Sequence, residues 1–256
     1  MPGSAPLPEP DAPGARGGYD SSMTTPGRIE TAHLLLALDP PAWFLRHACA
    51  VADVAAWLAA HAAANGEALD VRAVEAAALL HDVDKLPAAR RPAHLRHGDG
   101  SAAWLVAHGL AGLAPLVRDH PVTRLAEDGP AARLAAAPLE ARIVAYADRR
   151  AGQRLEPMAA RFASWARRYP SGPGDDVREP EPRDTAASGP GDDLRAPDPR
   201  ATAAPPTGSG WGDDVAAIVL ARSLALEAGV CAAAGVAPAD VRRLRWSRRA
   251  VREARA

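Results

Sequence analysis

Apolar residues recur at helical spacing through most of the chain. Phe44, His47, Val51, Val54 and Leu58 fall on one face of a helix predicted over residues 42–63. Val71, Val74, Ala78 and His81 share a face of the next. Asp39-Pro40-Pro41 supplies a turn before the first of these, Asn65-Gly66 a stop after it, and Asp70 a cap for the second. A shorter helix is predicted over 29–38. Others are predicted over 101–109 and 113–119, beyond a loop bracketed by Pro87 and Pro92. A long helical stretch over 139–168 carries Ile143, Tyr146, Ala147 and Arg150 as one stripe, with a break or restart at Pro157. After residue 212 the period returns in Val215, Ile218, Val219, Leu224 and Leu226, on a helix that Asp213 or Asp214 can cap. Gly235 to Pro238 ends it, and an arginine-rich helix is predicted over 240–256. No period-two alternation flanked by turn signals occurs, so the predicted class is all-α.

Two segments lack any apolar period. Residues 1–27 are rich in Pro, Gly, Ser and Asp and read as a disordered tail. Residues 169–212 read as a linker holding a tandem copy: SGPGDDVREPEPRDTAA, from Ser171, is followed by SGPGDDLRAPDPRATAA, from Ser188. Two such units have too few apolar residues to stack as a solenoid and read as an extended spacer. Their GDD triplets carry little weight as metal sites, because acidic linkers produce them freely. The chain thus divides into a tail (1–27), a helical domain (28–168), a linker (169–212) and a C-terminal helical pair (213–256). That pair is too small to be stable alone and is expected to dock on the domain.

Composition narrows the function classes. The 256 residues are 48% hydrophobic, which excludes a wholly disordered chain. A formal net charge of −1 gives no global attraction to nucleic acid or anionic lipid. Two cysteines, Cys49 and Cys231, make no disulfide framework and point to a reducing compartment. The most apolar run, 48–64, is interrupted by Asp53 and His61, so no membrane span is expected. No basic-then-apolar leader is seen, and a cytoplasmic location is expected.

Seven of the eight histidines lie between His47 and His120. His47 and His81 sit on apolar helix faces, and Asp82 follows His81 directly. A buried carboxylate costs several kcal/mol unless it is paired or metal-bound. The pair is therefore either a hydrogen-bonded couple inside the bundle or part of a metal site. Among thirty Lys plus Arg residues there is one lysine, Lys85, which points to a position that needs an ammonium. No GxSxG elbow, Walker-type loop or CxxC pair is present.

The stretch Ala76-Ala77-Ala78-Leu79-Leu80-His81-Asp82-Val83-Asp84-Lys85 resembles the LLHD…K signature of the HD-domain metal-dependent phosphohydrolases. His47-Ala48-Cys49-Ala50-Val51-Ala52 looks like that family's first-histidine helix. Ile143-Val144-Ala145-Tyr146-Ala147-Asp148 looks like its closing helix. The resemblance covers roughly residues 29–168. It implies an HD-domain helical bundle in which His47, His81, Asp82 and Asp148 hold a divalent ion (Mn, Fe, Mg, Co or Zn), one that acidifies a water it binds. Some members carry two further histidines for a second ion. By resemblance these are His97 and His120, with His94 a competing choice for the first. The other outcome is one ion, with these histidines orienting substrate or acting as general acid. His33, His61 and His108 read as surface residues. Asp84 departs from the common HDIGK form, where glycine is usual, and leaves the detail of that loop open.

The resemblance implies hydrolysis of a phosphate ester of a nucleotide or other small phosphorylated metabolite. Asp82 and Lys85 would be catalytic, Asp82 bridging if two ions bind. Lys85, Arg150 and Arg154 would contact substrate phosphate. Arg149, Arg118 and Arg124 also flank the implied ligands. A reading of another class is an HD-fold regulatory or nucleic-acid-binding module, which would use the basic segment 241–249. The favoured alternative for that segment is a solvated arginine face with Leu244 and Trp246 packed inward. The intact set His47, His81, Asp82 and Asp148 favours the enzyme.

Overall fold

The computed structural model describes residues 25–151, 155–162 and 213–256. The tail 1–24, Arg154 and the linker with its tandem copy lie outside the described residues. Nine α-helices are named among those described: α1 (Arg28–Leu36), α2 (Ala42–Ala64), α3 (Val71–Leu80), α4 (Asp99–Ala107), α5 (Ala114–Arg118), α6 (Asp128–Ala136), α7 (Leu139–Arg150), α8 (Asp213–Ala234) and α9 (Trp246–Glu253). Short 3-10 turns join several of them, and no strand occurs among the described residues.

α2 is the axis of the bundle and packs against α3, α7, α8 and α9. Every residue from Ala48 to Ala56 is buried, as is every residue of α3 from Ala73 to Leu80. A helix apolar on all sides belongs in a core. The run of alanines (Ala48, Ala50, Ala52, Ala55, Ala56, Ala59, Ala62) leaves room for several helices around it. By length and hydropathy alone, α2 and the 214–234 part of α8 would suffice to cross a membrane, against the expectation from their interrupted apolar runs. α2 spends that hydropathy inside the bundle.

The ends of the first helices follow their local signals. Asp70 accepts from the Ala73 amide at 3.0 Å, and Gly66 takes φ +95° just after α2. Other boundaries move. α4 begins at Asp99, two residues earlier than the period implied, and α6 was not foreseen. α7 stops at Arg150, seven residues before Pro157, and 158–162 are helical again. The last helix begins at Trp246, not at residue 240. Residues 241–245 stay non-helical, with the Leu244 amide bonded to the Asp53 carbonyl at 3.2 Å. The Asp53 carboxylate, from the middle of α2, then accepts from the Ser247 amide at 3.2 Å and the Ser247 hydroxyl at 2.8 Å. An N-cap supplied by another helix thus sets the start of α9.

Both C-terminal helices dock on the bundle, α8 on α2 and α7, and α9 on α1 and α2. Trp246 is buried beneath the Arg28 guanidinium, which sits 4.8 Å from the ring centre. Leu244, expected to pack inward, is exposed, because its stretch of backbone is tied to Asp53.

Candidate metal centre

Five separate parts of the chain bring imidazoles and carboxylates to one place. His47 lies in the second turn of α2. His81 is the C-cap of α3, and Asp82 follows it in the turn. His97 stands in the loop before α4, His120 just beyond α5, and Asp148 near the end of α7. Their donor atoms form three overlapping groups, each with all atoms within 4.8 Å: His47, His81 and Asp82; His81, His120 and Asp148; and Asp82, His97 and His120.

Asp82 is the hinge of the arrangement. Its Oδ2 lies 3.4 Å from His47 Nε2, 3.4 Å from His81 Nε2 and 2.8 Å from Lys85 Nζ. Its Oδ1 lies 3.1 Å from both His97 Nε2 and His120 Nε2. Asp148 Oδ1 closes the first side, 3.3 Å from His47 Nε2 and 3.6 Å from His81 Nε2. His81, Asp82 and His120 are buried. His47, His97, Asp148 and Lys85 keep side-chain exposures of 12, 13, 16 and 31%, so the cluster meets solvent along their edge.

The donor chemistry matches a divalent cation. His81 Nδ1 bonds the Ala78 carbonyl at 2.8 Å, His120 Nδ1 the Val117 carbonyl, and His97 Nδ1 the Asp84 carboxylate at 2.9 Å. Each Nδ1 must donate to such an acceptor, which leaves the Nε2 lone pair aimed at the cluster. His47 Nε2 and His81 Nε2 face each other at 3.2 Å, an approach that an ion between them explains better than a proton shared by two acceptors. Without an ion the acids hold protons on the imidazoles. For His81, burial opposes the charged form, but Asp82 and Asp148 raise its pKa to about 10. His120 is pushed down to about 4 by burial, with His81 and His97 adding repulsion against its bond to Asp82. Asp82 and Asp148 are held well below the usual carboxylate range by the histidines around them, despite burial.

Residues 44–152 match the family model of the HD domain. Over those residues the chain is similar to the HD domain. That match agrees with the resemblance to the HD superfamily of metal-dependent phosphohydrolases, and it spans all six converging residues. The HD domain alone does not include α1, α8 or α9, which pack around it. No curated protein and no solved structure shows significant similarity to the chain.

Of the alternatives left open, His97 and not His94 reaches the HD cluster; His94 is exposed, as are His33, His61 and His108. Lys85 reaches Asp82 from a 3-10 turn rather than from a continued α3. Arg150 does not face the cluster. Its Nη1 bonds the Tyr146 hydroxyl at 2.6 Å, Glu227 at 3.0 Å and the Pro238 carbonyl at 3.1 Å, so its charge is spent on holding α8 to α7. That corrects its expected place among the substrate contacts. Arg149 is fully buried, with one nitrogen on the Ala145 carbonyl; burial pushes its pKa down to about 10 against the pull of Asp148. Arg124 bonds the His97 carbonyl and Asp99 and so braces the His97 loop.

Sequence reasoning missed Asp84. Its carboxylate is buried and takes bonds from His97 Nδ1 and from the Gly98 amide. The available signal was an acid where glycine is usual, followed by Gly98 and Gly100 around the next ligand.

Proposed function

We propose that the protein is a cytoplasmic metal-dependent phosphohydrolase that cleaves a phosphate ester of a nucleotide or another small phosphorylated metabolite. The observation that carries this reading is the division of Asp82, whose two oxygens each face a different set of imidazoles. A bridging carboxylate between two divalent ions has that disposition. His47, His81, Asp148 and Asp82 Oδ2 would hold one ion, and Asp82 Oδ1, His97 and His120 the other. Such ions, when bound, supply an acidified water as nucleophile and neutralise charge on phosphoryl oxygens.

The chain's own groups do the rest. The Nδ1 bonds of His81, His97 and His120 fix their rings, so no reorganisation is needed when charge develops at phosphorus. Lys85, the one ammonium of the chain, sits at the exposed edge beside Asp82 and is the side chain to pair with a substrate phosphate oxygen. Arg154, which lies outside the described residues, is proposed as a second phosphate contact on the resemblance alone.

A phosphate-release screen tests the proposal. Purified protein with Mn, Mg, Co or Fe meets nucleotides, cyclic nucleotides, dinucleotides and a generic phosphodiester, alongside Asp82→Ala. Metal-dependent turnover that falls by at least a thousandfold in the variant is expected. Absence of turnover with every metal, from folded protein, sinks the hydrolase. Weight then moves to the nucleic-acid-binding alternative, whose mark is RNA or DNA affinity that falls steeply with salt. Nothing at the C-terminus favours that second reading: its aromatic, Trp246, is buried under Arg28 and unavailable for base stacking.

A further inference from the structure

Asp84 stands where the HDIGK form has glycine, and a buried acid two residues from Asp82 repels it. Such a carboxylate is kept only if its bonds return the cost. Its side chain is fully buried, 2.9 Å (Oδ1) and 3.1 Å (Oδ2) from His97 Nδ1, with the Gly98 amide donating to Oδ2 at 3.3 Å. Its own amide donates to the buried Ser101 hydroxyl at 3.4 Å. The loop is built around it. A Cβ at Gly100 would lie 2.6 Å from Asp84 Oδ2, and at Gly98, which holds φ +87°, a Cβ would lie 2.3 Å from the Arg118 carbonyl oxygen, so neither position has room for a side chain.

We propose that Asp84 is a positioning residue for His97: its carboxylate holds the ring in the Nδ1–H tautomer and turns Nε2 toward Asp82 Oδ1, completing the second ion's ligand set. An imidazole whose far nitrogen donates to a carboxylate is both oriented and made more basic. Glycine at this position would leave His97 without that acceptor, and an amide would place an NH2 group against either the ring N–H or the Gly98 N–H. The proposal rests on the two-ion reading of the site given above.

The test counts manganese bound to the intact protein, by calorimetry and by the EPR of free Mn, for wild type, Asp84→Asn, His97→Ala and the double variant. Two equivalents are expected in the wild type. Asp84→Asn is expected to keep the first and weaken the second by about 10–100-fold. The double variant should lose no more than His97→Ala alone. In the zinc-loaded wild type, the ¹⁵N–¹H spectrum of His97, assigned by its loss in His97→Ala, should show the Nδ1–H tautomer. An unchanged second equivalent in Asp84→Asn, additive losses in the double variant, or an Nε2–H tautomer in the wild type would each overturn the proposal. The tautomer measurement needs no variant, so it decides even if Asp84→Asn fails to fold. One equivalent in the wild type removes the role of Asp84 and leaves a one-ion hydrolase standing. No manganese or zinc at all removes the metal centre itself.

Discussion

His81 carries the pH behaviour of the metal-free site. Burial disfavours its imidazolium, yet Asp82 and Asp148 raise its pKa to about 10. The raised value means a stabilising contribution that is complete below the unfolded pKa near 6.5 and is lost as pH climbs through about 10. A cation needs the Nε2 lone pair, so it must displace this proton. Metal binding at pH 7 is therefore expected to release at least one proton, and affinity should rise with pH. Calorimetry in buffers of different ionisation enthalpy measures the release; heats independent of buffer would contradict it. At the acid end the sign reverses. Asp82 and Asp148, held well below 3.8, stabilise the fold above that value, and the contribution drains away as pH falls beneath it. The sequence marked His81-Asp82 as either a buried couple or part of a metal site, and the resemblance to the HD family supplied the other donors, His47, His97, His120 and Asp148. Asp84 and Arg124 were not legible there, since each acts through His97 across a contact that no spacing reveals.

Helices α7 and α8 meet through a buried polar joint. The Tyr146 hydroxyl donates to Glu227 at 2.7 Å, Arg150 reaches both, and Cys231 lies 3.6 Å from the hydroxyl. Burial and the neighbouring Glu227 push the Tyr146 hydroxyl's pKa far up, so it stays a donor. Glu227→Ala would strand the Arg150 charge and is expected to cost about 3–5 kcal/mol. Tyr146→Phe, which removes one hydroxyl, should cost about 1–2 kcal/mol. Urea titrations check both; a Glu227→Ala midpoint equal to wild type would refute the joint. Elements differed in how far local sequence explains them. α2 and α3 follow their apolar period and their caps at Gly66 and Asp70. α9 begins six residues later than its sequence implied, because its cap is Asp53, far away in the chain. α7 ends at Arg150, before Pro157, and Gly152, directly after the C-cap Ala151 in the sequence, is the local stop that a reading through to Pro157 passed over.

At the scale of the molecule, the C-terminal pair completes the body around the HD domain. Deleting residues 213–256 would uncover the faces of α2 and α7 on which the pair packs and leave Asp53 and Arg150 without Ser247 and Glu227. A chain ending at residue 168 is expected to lose cooperative thermal unfolding or to aggregate; an unchanged calorimetric transition would show that the pair is dispensable. Divalent metal at a hundred times its Kd should stabilise the folded chain by about 2.7 kcal/mol, roughly 5–10 °C in Tm, with no such rise in Asp82→Ala. The resemblance to the HD family supplied the donor set; by itself, the sequence determined the all-α class and the helices that carry His47, His81 and Asp148. These are properties of period, capping and residue chemistry within one turn or one helix. Only the tertiary structure decided that His97 and not His94 joins the cluster, that Arg150 serves the α7–α8 joint, and that Asp84 bears on His97. Each of those depends on where a loop or a long side chain ends in space. That place is set by packing between segments distant in sequence, which local periodicity does not encode.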